Sequence, residues 1–459
     1  MCELNTPLQR YAREICQAAK VIDAYCLTAG HPSPSLDAGG GTSLTLPKGT
    51  PLNILEAKQK LVASAFRVQQ LATEPSEFVP RLGVHFQNFA CIRWLCYFRI
   101  ISFIPQHGSV PYSAVAELAS VPVSQLKRIA RMAILHGFLN EPVEGELAHS
   151  ASSSLLVADP KLVDWVLFMA EATALGAAKL VEATDRWGDT TSKTQTAFNI
   201  AKDTDLPFFD YLAQTPELRI KFAAYMKNVT AAEGTKNEHL FAGFAWDSLP
   251  QGATVVDVGG SNGHTAIDLA TRFPHLQLVV QDLPETIAKF QASPLPGVPG
   301  SPAAARVTMQ PHNFFMPQPV KGASVYLLRM ILHDWSDSEA ISILQNLLPA
   351  LAANSGPQGS RLLIMDTVLP LPATCSGAKS VFVDPLEEAM LRARDLTMLE
   401  AFNSQERELA AWERLIDEAW RTDPGNTGVR LELVGNKKPF GSNMNVLEVA
   451  VLDRATNGQ

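Results

Sequence analysis

The chain has 459 residues, 46% of them hydrophobic and 18% charged, with 38 Lys plus Arg against 46 Asp plus Glu and a formal net charge of −8. That length suits about two or three domains, and the apolar content supports a large core rather than disorder. The acidic balance argues against a protein whose main task is gripping phosphate backbones. The six cysteines form no CxxC pair and stand at no metal-ligand spacing from a histidine, so no metal site is expected. Free thiols in a reducing, cytoplasmic setting are the expectation. The first residues carry neither a basic start nor an apolar run, and the most apolar stretch, 86–105, is broken by Arg93 and Arg99. Neither a secretory signal nor a membrane span is read there.

In chain order, helical spacing predicts helices over 8–28, 52–73 and 80–103, with a Gly/Ser/Pro-rich connection after the first that includes Gly39-Gly40-Gly41. Helices over 113–119 and 123–135 follow, joined by a tight turn. Phe138–Glu141 and Glu146–His149 can then pair as a hairpin, which makes a winged helix-turn-helix. Lys127, Arg128 and Arg131 on its second helix allow a DNA-binding reading. The acidic total favours a structural or dimerisation module instead. Residues 160–245 read as helices broken at Pro160, Pro207 and Pro216.

From 252 onward apolar β-rich runs alternate with helical ones. Strands are predicted at Thr254–Val258, Gln277–Gln281, Arg306–Met309, Ser324–Arg329, Arg361–Asp366, Val429–Leu433 and Asn445–Leu452. This is an α/β pattern with a mostly parallel sheet and an antiparallel edge. The predicted organisation is N-terminal helices and a loop over 1–78, a winged-helix region over 79–158, a helical linker and substrate-pocket region over 159–250, and the sheet domain over 251–459.

The first strand of that domain runs straight into Gly259-Gly260-Ser261-Asn262-Gly263. Such a turn lets a ligand approach the backbone closely. The spacing is not GxGxxG, and Asp257 before the glycines suits a cationic group such as an amino-acid ammonium better than a pyrophosphate. Asp282 closes the second strand, where a carboxylate can accept both ribose hydroxyls. Together these point to an adenosyl ligand without phosphates; a plain strand-to-helix turn is the other reading. The fourth strand leads through Arg329 to His333-Asp334-Trp335, and Ser336 with Glu339 forms a capping box for the next helix. His333 therefore stands at the carboxyl end of a parallel strand, as either a base or a buried, satisfied histidine. Asp366 ends the fifth strand. Glu406 by position alone reads as a first-turn residue complementing a helix dipole.

DVGGSNG, QDLP, LLRMILHDW, LLIMD and NSQER, in this order and spacing, resemble the small-molecule O-methyltransferases typified by plant caffeate and flavonoid enzymes, and more closely the fungal secondary-metabolite members. The resemblance covers about residues 80–452. It implies a Rossmann-like class I methyltransferase domain behind a mainly helical winged-helix dimerisation domain, S-adenosylmethionine as cofactor, and a homodimer. It casts Gly259 on the methionine part, Asp282 on the ribose, Asn313 and Phe314 near the adenine, and Arg329 on the cofactor side. His333 becomes the general base, with Asp366 and Glu406 flanking it. Ser261 stands for a family glycine, Asn313 for an Asp, and Asp366 for a Glu. The first 80 residues, Leu371–Arg394 and Gly297–Pro302 are lengthened relative to the family.

The implied reaction is methyl transfer to a phenol or enol of an aromatic or polyketide-derived molecule, with no nucleic acid or membrane partner. Trp165, Phe168, Met169, Met226, Met330, Met398 and Phe402 are candidate apolar walls or plain core. The alternative is a methyltransferase-like pericyclase or dehydratase that uses the bound cofactor without methyl transfer. Such relatives tend to replace the histidine with a cation, and here His333 is present.

Overall fold

The computed structural model describes residues 6–37, 46–47, 49–292, 300–356, 359–371 and 384–453. Cys2, Cys375, Gly39–Gly41, residues 297–299 of the expected extra loop and 372–383 of the expected 371–394 lengthening lie outside the described residues. The chain forms two compact units. The first draws on Met1–Leu175, Phe209–Asn228 and Val381–Ala389; the second draws on Gly176–Phe208, Val229–Ser380 and Met390–Gln459.

In the first unit, α1 (Pro7–Ala29) is capped by the Thr6 side chain and closed by Gly30 in the left-handed region. It packs on α2 (Leu52–Ala72) through Ile22, Cys26 and Ile54. The third helix, α3 (Phe78–Tyr97), ends six residues earlier than its periodicity suggests. Arg99 adopts a φ of 55°, which no helix interior tolerates, and the remaining apolar residues form a 3-10 turn at Ile100–Phe103. Helices α4 (Tyr112–Ala119) and α5 (Val123–Ile134) and the hairpin β1 (Leu139–Val143) and β2 (Glu146–His149) complete the winged helix. Leu95, Ile100, Val115, Leu126, Leu139 and Leu147 share its core. Arg131, one of the three basic residues of α5, is bound by Glu141 of the wing at 2.7 and 2.9 Å, so its charge is neutralised within the module.

The second unit is built on β3 (Thr254–Val258), β4 (Gln277–Asp282), β5 (Val307–Pro311), β6 (Val325–Arg329), β7 (Arg361–Asp366), β8 (Val429–Lys437) and β9 (Asn445–Asp453). The order across the sheet is β5-β4-β3-β6-β7-β9-β8, parallel through the first five strands and antiparallel at β9 and β8. Strand alternation divides the core. Val256, Val258, Tyr326, Leu328, Leu362 and Ile364 face α7 (Asp337–Ala352) and α9 (Leu409–Arg421), while Val255, Val325, Leu327, Leu363 and Met365 face Leu240, Trp246 and α6 (His264–Arg272). Helix α8 (Pro385–Phe402) precedes α9. The strand order reverses between β3 and β6, and open α/β sheets bind ligands at the carboxyl ends beside such a reversal. No described helix is long and apolar enough to cross a membrane.

Candidate active site

Beyond β3 the chain turns through Gly259 (φ 76°), Ser261 (φ 51°) and Gly263 (φ 74°) into α6. Ser261 thus holds a left-handed conformation without being glycine. The amides of Gly259 and Gly260 donate to the Gln281 carbonyl at 2.8 and 3.0 Å, tying the turn to the end of β4. A Cβ on Gly259 would fall 2.6 Å from Ile331 Cδ1, and one on Gly260 would fall 2.5 Å from Asp257 Oδ2. Asp282 faces the same turn: Oδ2 accepts from the Ser261 amide at 2.9 Å and Oδ1 from the Leu283 amide at 2.8 Å.

Asp257 is buried beneath the turn, and its Oδ2 meets no hydrogen-bond donor among the described residues. Burial lifts its carboxyl to about 7, against the pull of Arg329. Arg329 ends β6 and donates from Nη2 to the Thr235 carbonyl, while its Nε stays unpartnered among the described residues. Phe314 packs edge-on against Trp335 at 5.6 Å and lies beside Gly259. Asn313 is exposed, its Oδ1 accepting from the Phe315 amide at 3.0 Å. The sequence-predicted cofactor residues therefore gather at the ends of β3, β4 and β6, with Asn313 on the solvent side.

After β6, Met330 (φ 55°) throws the chain into a 3-10 turn at Leu332–Asp334, and Ser336 caps α7 through a reciprocal bond pair with Glu339. Arg407, fully buried, fastens this segment by donating to the carbonyls of Leu332 and Trp335, each at 2.8 Å, and to Asp337 Oδ1 at 2.9 Å. His333 sits on the turn, 5% exposed. Its Nδ1 lies 3.1 Å from Glu406 Oε1 and 3.2 Å from Asp366 Oδ1, and its Nε2 lies 3.4 Å from Asp334 Oδ1. Burial pushes the imidazole down, but Asp366, Asp334 and Glu406 together outweigh burial and the opposing Arg394, and the ring is raised to about 9. Burial raises Asp366. Glu406 is held low, because the charges of Arg394 and His333 overcome its burial.

Glu406 corrects the helix-dipole reading of its position. It precedes a two-residue strand, Arg407–Glu408, rather than starting α9, and it is buried against His333. The carboxylate reaches inward because its amide is held by Asp395 Oδ1 at 2.9 Å and Arg407 is locked beneath the histidine turn. Sequence reasoning missed Arg394, whose Nε lies 2.6 Å from Glu406 Oε1. Its signal was its spacing on α8, three residues after buried Leu391 and four before buried Met398. It also missed Lys193, whose Nζ lies 3.4 Å over the Trp335 ring and 3.7 Å from Glu339. One ligand atom each from His333, Asp366 and Glu406 fall within 4.8 Å of one another. The cation beside them is the guanidinium of Arg394.

The candidate wall residues fall in both units. In the first, Phe168 stacks on Tyr225 at 4.9 Å and Trp165 meets the same ring edge-on at 5.8 Å. In the second, Phe402 meets Phe208 at 5.1 Å.

Residues 188–420 match the family model described as an O-methyltransferase domain. Residues 5–73 match one described as the trypacidin cluster transcriptional coactivator tpcD N-terminal domain. The chain is 49% identical over 449 residues to O-methyltransferase VdtC of Byssochlamys spectabilis, an alignment spanning 97% of this chain and 98% of that protein. The crystal structure of OxaC in complex with SAH and oxaline is similar at a TM-score of 0.66 and 21% identity, over 96% of this chain and 98% of that one. A structure described as a pericyclic reaction enzyme is similar at a TM-score of 0.65 and 23% identity, over 86% and 94%. At these identities the two structures speak to the fold alone.

Proposed function

The chain belongs to the S-adenosylmethionine-dependent O-methyltransferases, and from that premise we propose that it methylates a phenol or enol hydroxyl of a secondary-metabolite small molecule with His333 as general base. Its second unit has the Rossmann-like class I methyltransferase fold. The residues present fit the cofactor. A glycine turn with no room for a Cβ, the buried unpartnered oxygen of Asp257 and the Asp282 carboxylate converge at the ends of β3 and β4. Gly259 and Asp257 would hold the methionine part, Asp282 the ribose, and Asn313 with Phe314 the adenine side. Arg329, paired electrostatically with Asp257, keeps that carboxylate ionisable despite burial. When bound, S-adenosylmethionine supplies an electrophilic methyl group.

The observation that carries the proposal is the anchoring of one face of the His333 ring. Nδ1 faces Glu406 at 3.1 Å and Asp366 at 3.2 Å, two carboxylates that favour a proton on Nδ1 and so leave Nε2, beside Asp334, to take the proton of a substrate hydroxyl. An imidazole at about 9 stands close to a phenol, whose ordinary pKa is about 10, so the proton moves with little free-energy change. Orientation of the two reactants can contribute about 7–11 kcal/mol more. We assign Met330, Met398 and Phe402 to the apolar wall.

Exposed Phe78, Val79, Leu82 and Phe86 on α3 support a homodimer through residues before about 150. The free thiols of Cys16, Cys26, Cys91 and Cys96 fit a cytoplasmic enzyme.

The test is a labelled-methyl assay against a panel of polyhydroxylated aromatic compounds, run with product mass analysis. Transfer to a hydroxyl, with one demethylated cofactor per turnover, is the expected result. A substrate consumed with neither would replace this reading by the pericyclic or dehydrating one.

A further inference from the structure

Arg394 stands where a helix ordinarily places an apolar side chain. Its neighbours on the same face of α8, Leu391 and Met398, are buried, and its guanidinium runs inward to the base. Nε lies 2.6 Å from Glu406 Oε1, the same oxygen that faces His333 Nδ1, and Nη2 lies 2.8 Å from Nδ1 itself. Nδ1 cannot donate to a carboxylate and accept from a guanidinium at once. Two carboxylates, at 3.1 and 3.2 Å, favour a proton on Nδ1, and the guanidinium opposes it.

We propose that Arg394 is a positioning residue for methyl transfer: by sharing Glu406 with His333, it balances the carboxylates around the base and keeps the histidine able to release its proton between turnovers. The proposal rests on His333 being the base.

The charge balance explains why such a residue is needed. Asp366 and Glu406 face His333 from β7 and from the segment before Arg407–Glu408, and Asp334 faces it from its own turn. Asp395 on α8 is turned to the Glu406 amide, Asp337 is taken by Arg407, and Lys193 is directed at the Trp335 ring, at Glu339 and at the Asp334 carbonyl rather than at Glu406 or Asp366. Arg394 is therefore the cation aimed at the carboxylates of the triad among the described residues. Without it, two buried carboxylates would share a single positive charge, that of the imidazolium. A base so pinned accepts one proton and does not give it up. The charges act in the same direction: the Arg394 guanidinium lowers the proton affinity of His333 that the three carboxylates raise. A lysine could carry the same charge to Glu406 from a single point, without the second donor toward Nδ1.

The experiment follows the His333 ring directly, without substrate. The full-length protein, labelled with 15N and 13C in histidine, is titrated by NMR, and the His333 signals are assigned by their loss in His333→Gln. Arg394→Gln is expected to move the His333 midpoint upward by about one to three pH units, as removal of a nearby like charge does. Arg394→Lys is expected to return most of that shift, with circular dichroism and thermal unfolding confirming that each variant is folded. The pH profile of methyl transfer, measured with whichever panel phenol the wild type accepts, should move the same way. An unchanged midpoint in folded Arg394→Gln, or one that moves down, overturns the proposal, and His333→Gln would still report independently on the base. If the midpoint rises while His333→Gln methylates normally, the base assignment fails, and with it the catalytic meaning given to Arg394.

Discussion

Glu406 Oε1 lies 3.1 Å from His333 Nδ1, although 73 positions separate them in the chain. The contact exists because β6 and β7 end side by side and Arg407 clamps the histidine turn from the segment that carries Glu406. It makes the state of the base a property of three distant segments rather than of one motif.

If His333 removes the substrate proton, His333→Gln should leave cofactor affinity nearly intact and lower methyl transfer by about 10²–10⁴, the contribution typical of acid–base catalysis. The working form is the neutral imidazole. With the ring raised to about 9, the rate should climb with pH through neutrality and level off above that value. A profile flat from pH 6 to 10 in single turnovers would count against the assignment.

Glu406→Gln should displace that rising limb toward lower pH, because it removes a negative charge that favours the imidazolium. The plateau should fall as well, since the ring loses one of its two anchors and Arg394 loses its partner. The direction is opposite to that expected for Arg394→Gln, so the two profiles measured side by side separate charge effects from general damage.

The same shift should appear in stability. A histidine raised from 6.5 to about 9 on folding contributes stability that is fully present below pH 6.5 and is lost as pH rises through about 9. The displacement corresponds to about 3 kcal/mol at most. Urea unfolding of wild type against His333→Gln should show the larger gap at pH 6 and a smaller one at pH 10; a gap that widens with pH would reverse the sign of the argument.

The seven strands of the sheet were legible to within two residues at their starts, because each is a short β-rich run between breakers, and strands alternating with helices leave few topologies. The long run of β8 past Leu433 was not. The places of Asp282 and Asp366 at the ends of parallel strands, and of His333 on the turn just beyond β6, were legible for the same reason, since that is where the sheet delivers its side chains. Glu406 and Arg394 were not legible from local chemistry. A Glu just before a helix looks like a dipole partner, and an Arg on a helix looks solvated; only tertiary pairing turns both inward. The end of α3 was lost to Arg99, whose left-handed backbone leaves no mark in the hydrophobic spacing.

Assembly can be tested on α3. Phe86 is 63% exposed and Phe78 62%, on a helix whose mean character is apolar. Large exposed apolar patches mark interfaces. Phe86→Glu should yield a monomer by light scattering at micromolar concentration where the wild type is a dimer. A wild-type monomer at that concentration would refute the proposed assembly.

The cofactor assignment is tested at Asp282 and Gly259, with calorimetry of S-adenosylmethionine binding as the measurement. Asp282→Ala should weaken binding by about 1.5–3 kcal/mol, the range for a hydrogen bond to a charged group. The same carboxylate also accepts from the Ser261 and Leu283 amides, so part of that loss could come from a loosened turn. Asp282→Asn separates the two. Its side-chain oxygen can still accept from one of these amides, but it lacks the charge and the second acceptor that a ribose diol requires. An Asn variant that binds like wild type would therefore remove Asp282 from the ribose. Gly259→Ala attacks the cradle from the other side: its φ of 76° strains any L side chain, and the new methyl would lie 2.6 Å from Ile331 Cδ1. Ile331 can shift, but the backbone strain stays, and the methyl would stand on the surface that the methionine part must approach. Binding should fall below detection in a protein that still folds, whereas NAD should bind none of the three variants and not the wild type.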